Sequence, residues 1–473
     1  MADPFCERLI CERIEREESA MPLIGAVADD LTGATTTGVL LARSKARTAV
    51  FFNEEAAQEA RETASLDAIL ISSNSRPLPK EEAYDKVKSA TNALKAMGVK
   101  YFSKRIDTTL RGGVGVEIDA MLDQLNEDTI AVVVPAMPQS RRILVGGYSV
   151  IDGVALINTP VAQDVRTPVK ENYIPRLLAG QTRRKVGLVT LDQVLKGKEG
   201  IKEALTEVRN DGAGVIIVDA ITLEDVDQIA QACIDLDWDV VSLRWDVVAV
   251  DPGPFTSKLA YRRGLIQEEQ PNVPPAASEE GKTVLIAAGS ATPVTKKQMQ
   301  VLCEDSRHVR ISVEPIPLIN GGDEALDEAF KAVNKAVELI ESDKQPRAIL
   351  FETALHGELL NLDEEDKKRG YAGGMSANRI NAGLGTIISQ VLEQVGREKI
   401  AGLYTTGGDT MVNVCYQLGV ECIEVMDYVI PQTDVGRLVG KYDGLPVVGK
   451  GGLTGNDNTA CDIVERLFKE SAR

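Results

Sequence analysis

From Pro22 onward the chain alternates short, unbroken apolar runs with longer amphipathic stretches. The runs Leu23–Ala28, Ala68–Ile71, Ile130–Val134, Val186–Val189 and Val215–Val218 are rich in Val, Ile or Ala, and each is followed by Asp, Ser, Pro or Thr. Apolar runs without polar alternation are strands covered on both faces. Between them, Lys80–Met97, Gly115–Leu125 and Leu223–Ile234 carry helical spacing. The predicted class is α/β: two domains, each with a largely parallel sheet covered by helices. Residues 267–282 combine Pro, small residues and charge without apolar periodicity, the signature of a linker. The strand pattern restarts at Thr283–Ala288 and continues through Ile349–Thr353, Gly402–Thr405 and Pro446–Val448. The expected boundaries are a tail over 1–20, a first domain over 21–268, a linker over 269–282 and a second domain over 283–473. Two domains place an active site in the cleft between them, because closure excludes water.

Charge narrows the function. The formal net charge is −18, which argues against nucleic-acid and membrane-surface partners and requires basic residues to be concentrated wherever an anion binds. With only two histidines, His308 and His356, a multi-histidine metal site is excluded. The seven cysteines form no C-x-x-C pair and read as reduced thiols of a cytoplasmic enzyme. No run of 18 apolar residues predicts a membrane span. Residues 1–20 carry six acidic side chains and three arginines, a solvated tail and not a secretory signal.

The polar turns that follow the strands hold the candidate chemistry. Asp29-Asp30-Leu31-Thr32-Gly33 leaves the first strand, and the helix expected to begin over Thr35–Leu41 would favour an anion at its N-terminus. Two adjacent carboxylates could repel one another and raise one pKa towards use as a base; an N-cap with a solvated neighbour explains the pair equally well. Lys104-Arg105-Ile106-Asp107-Thr108-Thr109-Leu110-Arg111-Gly112-Gly113 gathers three cations, two hydroxyls and two glycines in an otherwise acidic protein, which points to a small anionic ligand. Arg141 and Arg142 follow a Pro-rich turn and are expected to face the same pocket; Asp164–Pro168 reads as a surface turn. In the second domain Gly289-Ser290, Gly407-Gly408-Asp409 and Lys450-Gly451-Gly452-Leu453-Thr454-Gly455 each follow a strand. One such turn is only tight packing; three in one domain favour backbone amides around phosphates with Lys450 neutralising charge. Neither a P-loop nor a dinucleotide fingerprint is present. His356 reads as structural, and Trp238 and Trp245 as core or interface residues.

Taken in order and spacing, Ala28–Ala34, Lys104–Gly112, Gly407–Thr410 and Lys450–Gly455 resemble the four-carbon acid sugar kinase family, once known only as a domain of unknown function. The resemblance spans nearly all of residues 22–468. It implies ATP-dependent phosphorylation of a terminal hydroxyl on threonate, erythronate or a 3-oxo-tetronate, with Mg2+ as cofactor. It assigns Asp29 and Asp30 to catalysis, one of them as base, and Thr32, Gly33, Lys104, Asp107 and Arg111 to the sugar acid. Ser290, Gly407, Gly408, Asp409 and Lys450 through Gly455 would hold ATP; no metal ligand is assigned. The partners expected are the sugar acid and ATP, with no nucleic acid and no membrane; a homodimer is left open. The chain departs from the family pattern at Thr108, Gly113, Val250–Thr256, Pro431–Val435 and Gly451–Gly455, which leaves the particular acid open. The alternatives are a non-catalytic sugar-acid or nucleotide sensor and, further behind, a nicotinamide-dependent dehydrogenase.

Overall fold

The computed structural model describes residues 22–60, 63–163, 167–237, 246–270, 273–276, 281–355 and 359–472. The N-terminal tail, the Asp164–Arg166 stretch, Trp238, Trp245, His356 and part of the expected linker lie outside the described residues. The chain divides into two compact units, the first ending at Gln270 and the second starting at Pro271.

The first unit contains β1 (Ile24–Ala28), β2 (Thr48–Phe51), β3 (Ala68–Ser72), β4 (Tyr101–Arg105), β5 (Ile130–Val133), β6 (Arg142–Val145), β7 (Tyr148–Ile151), β8 (Val154–Ala155), β9 (Val186–Val189), β10 (Val215–Val218) and β11 (Val247–Asp251). Its main sheet runs β2-β3-β1-β4-β11-β5-β10-β9, all parallel. The strands β6, β7 and β8 form a separate antiparallel sheet. The second unit contains β12 (Thr283–Ala288), β13 (His308–Ser312), β14 (Ala348–Glu352), β15 (Ile400–Thr406), β16 (Val420–Ile430), β17 (Thr433–Gly440) and β18 (Pro446–Lys450). Here β13-β14-β12-β15-β18 is parallel, and β17 and β16 add antiparallel strands beyond β18.

The inner strands β1, β3, β5, β10, β12 and β14 are almost wholly apolar and buried along their length. Val132, Ile216, Ile229 and Phe255 are buried together in the first unit, and Ile286, Leu350, Tyr404 and Leu467 in the second. Each such side chain contributes about 1.5–3 kcal/mol by leaving water. Both units open with the same strand order. Their second and third strands lie on one side of the first, and the fourth lies on the other: β2-β3-β1-β4 and β13-β14-β12-β15. The chain therefore reverses its march across each sheet between first and fourth strands. The crevice at the C-terminal ends of the strands at such a reversal is where open parallel sheets bind ligands.

Local boundaries follow from side-chain capping. The first helix spans Leu31–Arg43 and not only the Thr35–Leu41 stretch, because the Asp30 side chain accepts from the Gly33 amide at 2.8 Å and starts the helix four residues earlier. Helix Val114–Leu122 begins one residue before the expected segment and ends three before it. Asp251, buried at the end of β11, organises the next turn. Its carboxylate accepts from the amides of Gly253 (2.7 Å), Phe255 (2.6 Å) and Thr256 (3.2 Å) and from the Thr256 hydroxyl (2.5 Å). Gly253 sits at φ +131°, a conformation that favours glycine. Asp251→Ala leaves those donors without an acceptor and is expected to cost about 1–3 kcal/mol, read as a lower urea midpoint; Asp251→Asn, which keeps an acceptor, should lose less.

Candidate active site

At the reversal point of the first unit, Ala28 of β1 is in register with Ser72 of β3 and with Arg105 of β4. The residues that leave these strand ends therefore converge. Asp29 is buried and clamped by two guanidiniums: Arg76 donates to it through Nε (2.8 Å) and Nη2 (3.0 Å), and Arg105 through Nη1 (3.1 Å). Asp30 meets the same two arginines, Arg76 Nη1 at 2.7 Å and Arg105 Nη1 at 3.1 Å. Its side chain stays 29% exposed against 3% for Asp29. Burial pushes the Asp29 carboxyl up, but Arg76 and Arg105 outweigh it and hold the group below its ordinary value. The carboxylate repulsion expected from the sequence is thus overturned at Asp29, because each acid faces guanidiniums as well as the other acid.

Space for this cluster comes from glycine. A Cβ on Gly33 would lie 1.8 Å from Arg105 Nη1, so the first turn of helix Leu31–Arg43 is open where the Arg105 guanidinium passes. Gly112, at φ +84°, lies against the Arg76 backbone, where a Cβ would stand 2.9 Å from its carbonyl oxygen. Thr32 lies half-buried in the same first turn, its carbonyl accepting from the Thr35 and Thr36 hydroxyls.

The second sequence cluster divides into two layers. Asp107 pairs with Arg111 (Nε at 2.6 Å), accepts from the Thr109 hydroxyl, and lies 4.0 Å from Arg76 Nη2. Burial raises its pKa, but Arg76 and Arg111 more than reverse this, leaving it far below the carboxylate range. Lys104 turns the other way, fully buried, with Nζ 2.7 Å from Glu117 Oε2 and bonded to the Arg105 carbonyl at 2.8 Å. Glu117 also accepts from Ser75, Ser75 contacts Ser73, and Ser73 donates to the Ala28 carbonyl. This buried polar chain underpins the loops that carry Asp29 and Arg76. Arg141 and Arg142 diverge, contrary to expectation. Arg141, at φ +55°, is exposed and meets Asp152, whereas the Arg142 side chain turns in and donates to Thr108. The sequence reading missed Arg76, Arg105 and Glu117 as site residues; of these only Arg105 stood in a recognisable cluster.

In the second unit Ala288 is in register with Thr406, and Thr406 with Lys450, so the turns after β12, β15 and β18 lie side by side. Gly407, at φ +104°, precedes helix Gly408–Gln417, and its amide donates to the Lys450 carbonyl at 3.0 Å. Asp409 is exposed in the first turn of that helix. The Lys450–Gly455 loop is tied back to the first turn: Gly452 O accepts from Thr292 (2.6 Å) and Thr295 (3.1 Å), while Gln298 Nε2 donates to the carbonyls of Thr454 and Asn456. A Cβ on Gly452 would lie 2.6 Å from Ser290 Oγ, so glycine lets these two turns touch. Gly455 sits at φ +90° and Leu453 is exposed at the tip. Lys450 is buried, with Nζ on the carbonyls of Gly451 (2.8 Å) and Thr454 (3.4 Å), and no carboxylate pairs with it among the described residues. Burial pushes its pKa down to about 8. Among the described residues no group of three or more His, Cys, Asp or Glu side chains forms a metal site, and no helix is long and apolar enough to cross a membrane.

Comparison with known proteins matches residues 24–259 to a sugar-binding N-terminal domain and residues 285–460 to a nucleotide-binding C-terminal domain. A D-erythronate kinase of Heliobacterium modesticaldum is 37% identical over 93% of this chain and 96% of its own length. The chain belongs to the four-carbon acid sugar kinase family. A D-threonate kinase of Salmonella typhimurium is 29% identical, again over 93% and 96%. A Haemophilus influenzae protein of solved structure shares the fold, with a TM-score of 0.68 at 21% identity over 95% of this chain and 99% of that one. As a carbohydrate kinase of this family, the chain carries the arginine–carboxylate cluster in the segment matching the sugar-binding model, and the three glycine turns in the segment matching the nucleotide-binding model.

The Lys104–Glu117 pair gives a direct test of the buried layer. Lys104→Met strands a buried carboxylate, with an expected loss of about 3–5 kcal/mol near neutral pH in chemical denaturation. Burial already pushes the Glu117 pKa up, so without the lysine this acid takes a proton as pH falls and the loss shrinks towards pH 5. Adding Glu117→Gln should recover part of it at neutral pH.

Proposed function

We propose that this kinase transfers the γ-phosphoryl group of ATP to a terminal hydroxyl of a four-carbon acid sugar of the erythronate, threonate or 3-oxo-tetronate type, with D-erythronate as the first candidate. The observation that carries this reading is the charge balance at the first reversal point. Four guanidiniums, Arg76, Arg105, Arg111 and Arg142, face three carboxylates, Asp29, Asp30 and Asp107, while Lys104 and Glu117 cancel. Among these groups one positive charge is left over inside a protein of net charge −18; Asp251, at the end of β11, is outside the count because its carboxylate is taken up by the amides of its own turn. The Nε atoms of Arg105 and Arg142 are buried without a hydrogen-bond partner among the described residues. A small monoanion supplies what that site lacks. The similarity to a D-erythronate kinase at 37% identity puts D-erythronate first.

In this reading Asp30 is the proton acceptor. Both acids pair with Arg76 and Arg105, but Asp30 is the more accessible, its side chain 29% exposed against 3% for Asp29. Asp30 takes the hydroxyl proton as the oxygen attacks; Lys450 and the amides of the glycine turns hold the nucleotide phosphates and their charge. Mg2+ would accompany ATP. It keeps most of its ligands as water and phosphate oxygen, so a single protein carboxylate suffices, and Asp409, exposed at the start of helix Gly408–Gln417, fits that role. Bound there it would offset phosphate charge. Use of ATP favours the cytoplasm as the place of action.

The deciding experiment is ADP release from ATP and Mg2+ across D- and L-erythronate, D- and L-threonate and the 3-oxo-tetronates. Turnover with one or more acids is expected; silence across the panel would sink the proposal. Asp30→Asn keeps an N-cap for helix Leu31–Arg43 and is expected to cut kcat about 10²–10⁴-fold with ATP affinity unchanged. Asp29→Asn should chiefly raise KM for the acid.

Lys450 supplies a pH test. A phosphate beside it favours the charged form, so ATP binding raises a pKa that stands near 8 in the free protein. Affinity is then full below pH 8 and falls as pH rises through 8, by at most about tenfold per unit. Calorimetry at pH 8 in buffers of differing ionisation enthalpy should detect proton uptake, and Lys450→Met should abolish it.

A further inference from the structure

The hairpin after β5 carries the fourth guanidinium of the acid site, and three separate tethers fix it. The Met137 amide donates to the Arg142 carbonyl at 2.8 Å, and Arg142 pairs with Ile151 at the start of the small antiparallel sheet. Leu144 exchanges two backbone bonds with Ala220 just beyond β10, at 3.0 and 3.2 Å. Asp219, fully buried, accepts from the amides of Gly146 (2.5 Å), Gly147 (2.9 Å) and Leu191 (2.9 Å), which pins the β6–β7 turn.

So placed, the Arg142 side chain donates through Nη1 to the Thr108 hydroxyl, and its Nε is buried with no partner among the described residues. No carboxylate pairs with it among the described residues, although Asp107 and Asp152 act on it from a distance. Burial, with Arg105 and Arg111 nearby, lowers its pKa, as expected for a guanidinium with too little negative charge around it. The edge that presents Nε is the one that grips a carboxylate with two parallel bonds. Arg105 Nε, also buried and unpartnered, adds a second donor within the same cluster.

We propose that Arg142 is the specificity-determining residue of the acid site: together with Arg105 Nε it receives the substrate carboxylate, and so selects the acid over the neutral polyol of the same length. Asp219 is its positioning residue, acting through the β6–β7 turn. This inference rests on the sugar-acid reading above.

The test compares Arg142→Gln, Arg142→Lys and the unaltered chain on D-erythronate and on erythritol, the latter as substrate or as competitive inhibitor. Arg142→Gln is expected to raise KM for D-erythronate about 10–100-fold with kcat little changed, and to leave the erythritol constant within about threefold. Arg142→Lys should recover part of the acid KM, and an unchanged melting temperature in either variant separates the effect from unfolding. Asp219→Asn should shift the acid KM in the same direction while sparing erythritol. An unaltered acid KM in Arg142→Gln, with the parent active on the acid, would overturn the inference and leave the kinase reading standing. An equal fall in kcat for acid and polyol would overturn it too, by assigning Arg142 to the transferring phosphoryl group. A parent inactive on every four-carbon acid would overturn the kinase reading, and this inference with it.

Discussion

Everything in the first unit's active-site region depends on keeping guanidiniums charged and buried at the end of a parallel sheet. Arg76 is the centre of that arrangement. It reaches Asp29 with two bonds, Asp30 with a third contact and Asp107 at longer range. Burial works against its charge, and the three carboxylates outweigh burial, so its pKa lies well above the ordinary arginine value. Removing one acid would leave two; removing Arg76 would leave three carboxylates sharing the remaining arginines. Such a network is costly to break and offers little stability of its own, which fits a role in holding its donors and acceptors in fixed directions.

The two units set different candidate chemistry on one topology. Each places its candidate residues where the strand order reverses. The first unit uses side-chain forks, suited to a planar carboxylate. The second brings together glycine turns and a single buried lysine, a set whose proposed ligand is the polyphosphate of ATP. Glycine serves both, for opposite reasons. Gly33 makes room for another residue's guanidinium, and Gly452 lets two loops come into contact.

Much of this was legible in the sequence. The strands at Val215–Val218 and Thr283–Ala288 lie where the apolar runs put them, because a fully buried strand has few polar positions to blur its ends; the half-buried edge strand Val186–Val189 was marked by its apolar run alone. The glycine turns were legible too, since strand, turn and helix follow one another along the chain. What could not be read is what depends on strand order. Arg76 stands 47 residues from Asp29, and Arg105 stands 76; only the β3-β1-β4 adjacency brings them together. The Lys104–Glu117 pair was hidden for a related reason. A lysine in a basic cluster reads as ligand-facing, but alternation along β4 sends Lys104 to one face and Arg105 to the other. The β6–β8 sheet left no signal, being short, partly exposed and anchored by residues near 220.

Among the described residues both units also leave one cation without a directly paired carboxylate, Arg142 in the first and Lys450 in the second. An uncompensated buried charge is unfavourable in the empty protein, and a nearby carboxylate would have relieved it in either place. Such a carboxylate would then compete with the ligand for the same donors. With none among the described residues, an anion bound as proposed at either place would draw part of its binding energy from the relief of a penalty already present in the folded chain. The same logic gives selectivity. A neutral polyol at Arg142, or an uncharged group at Lys450, would fill the space without supplying the charge, and the penalty would remain.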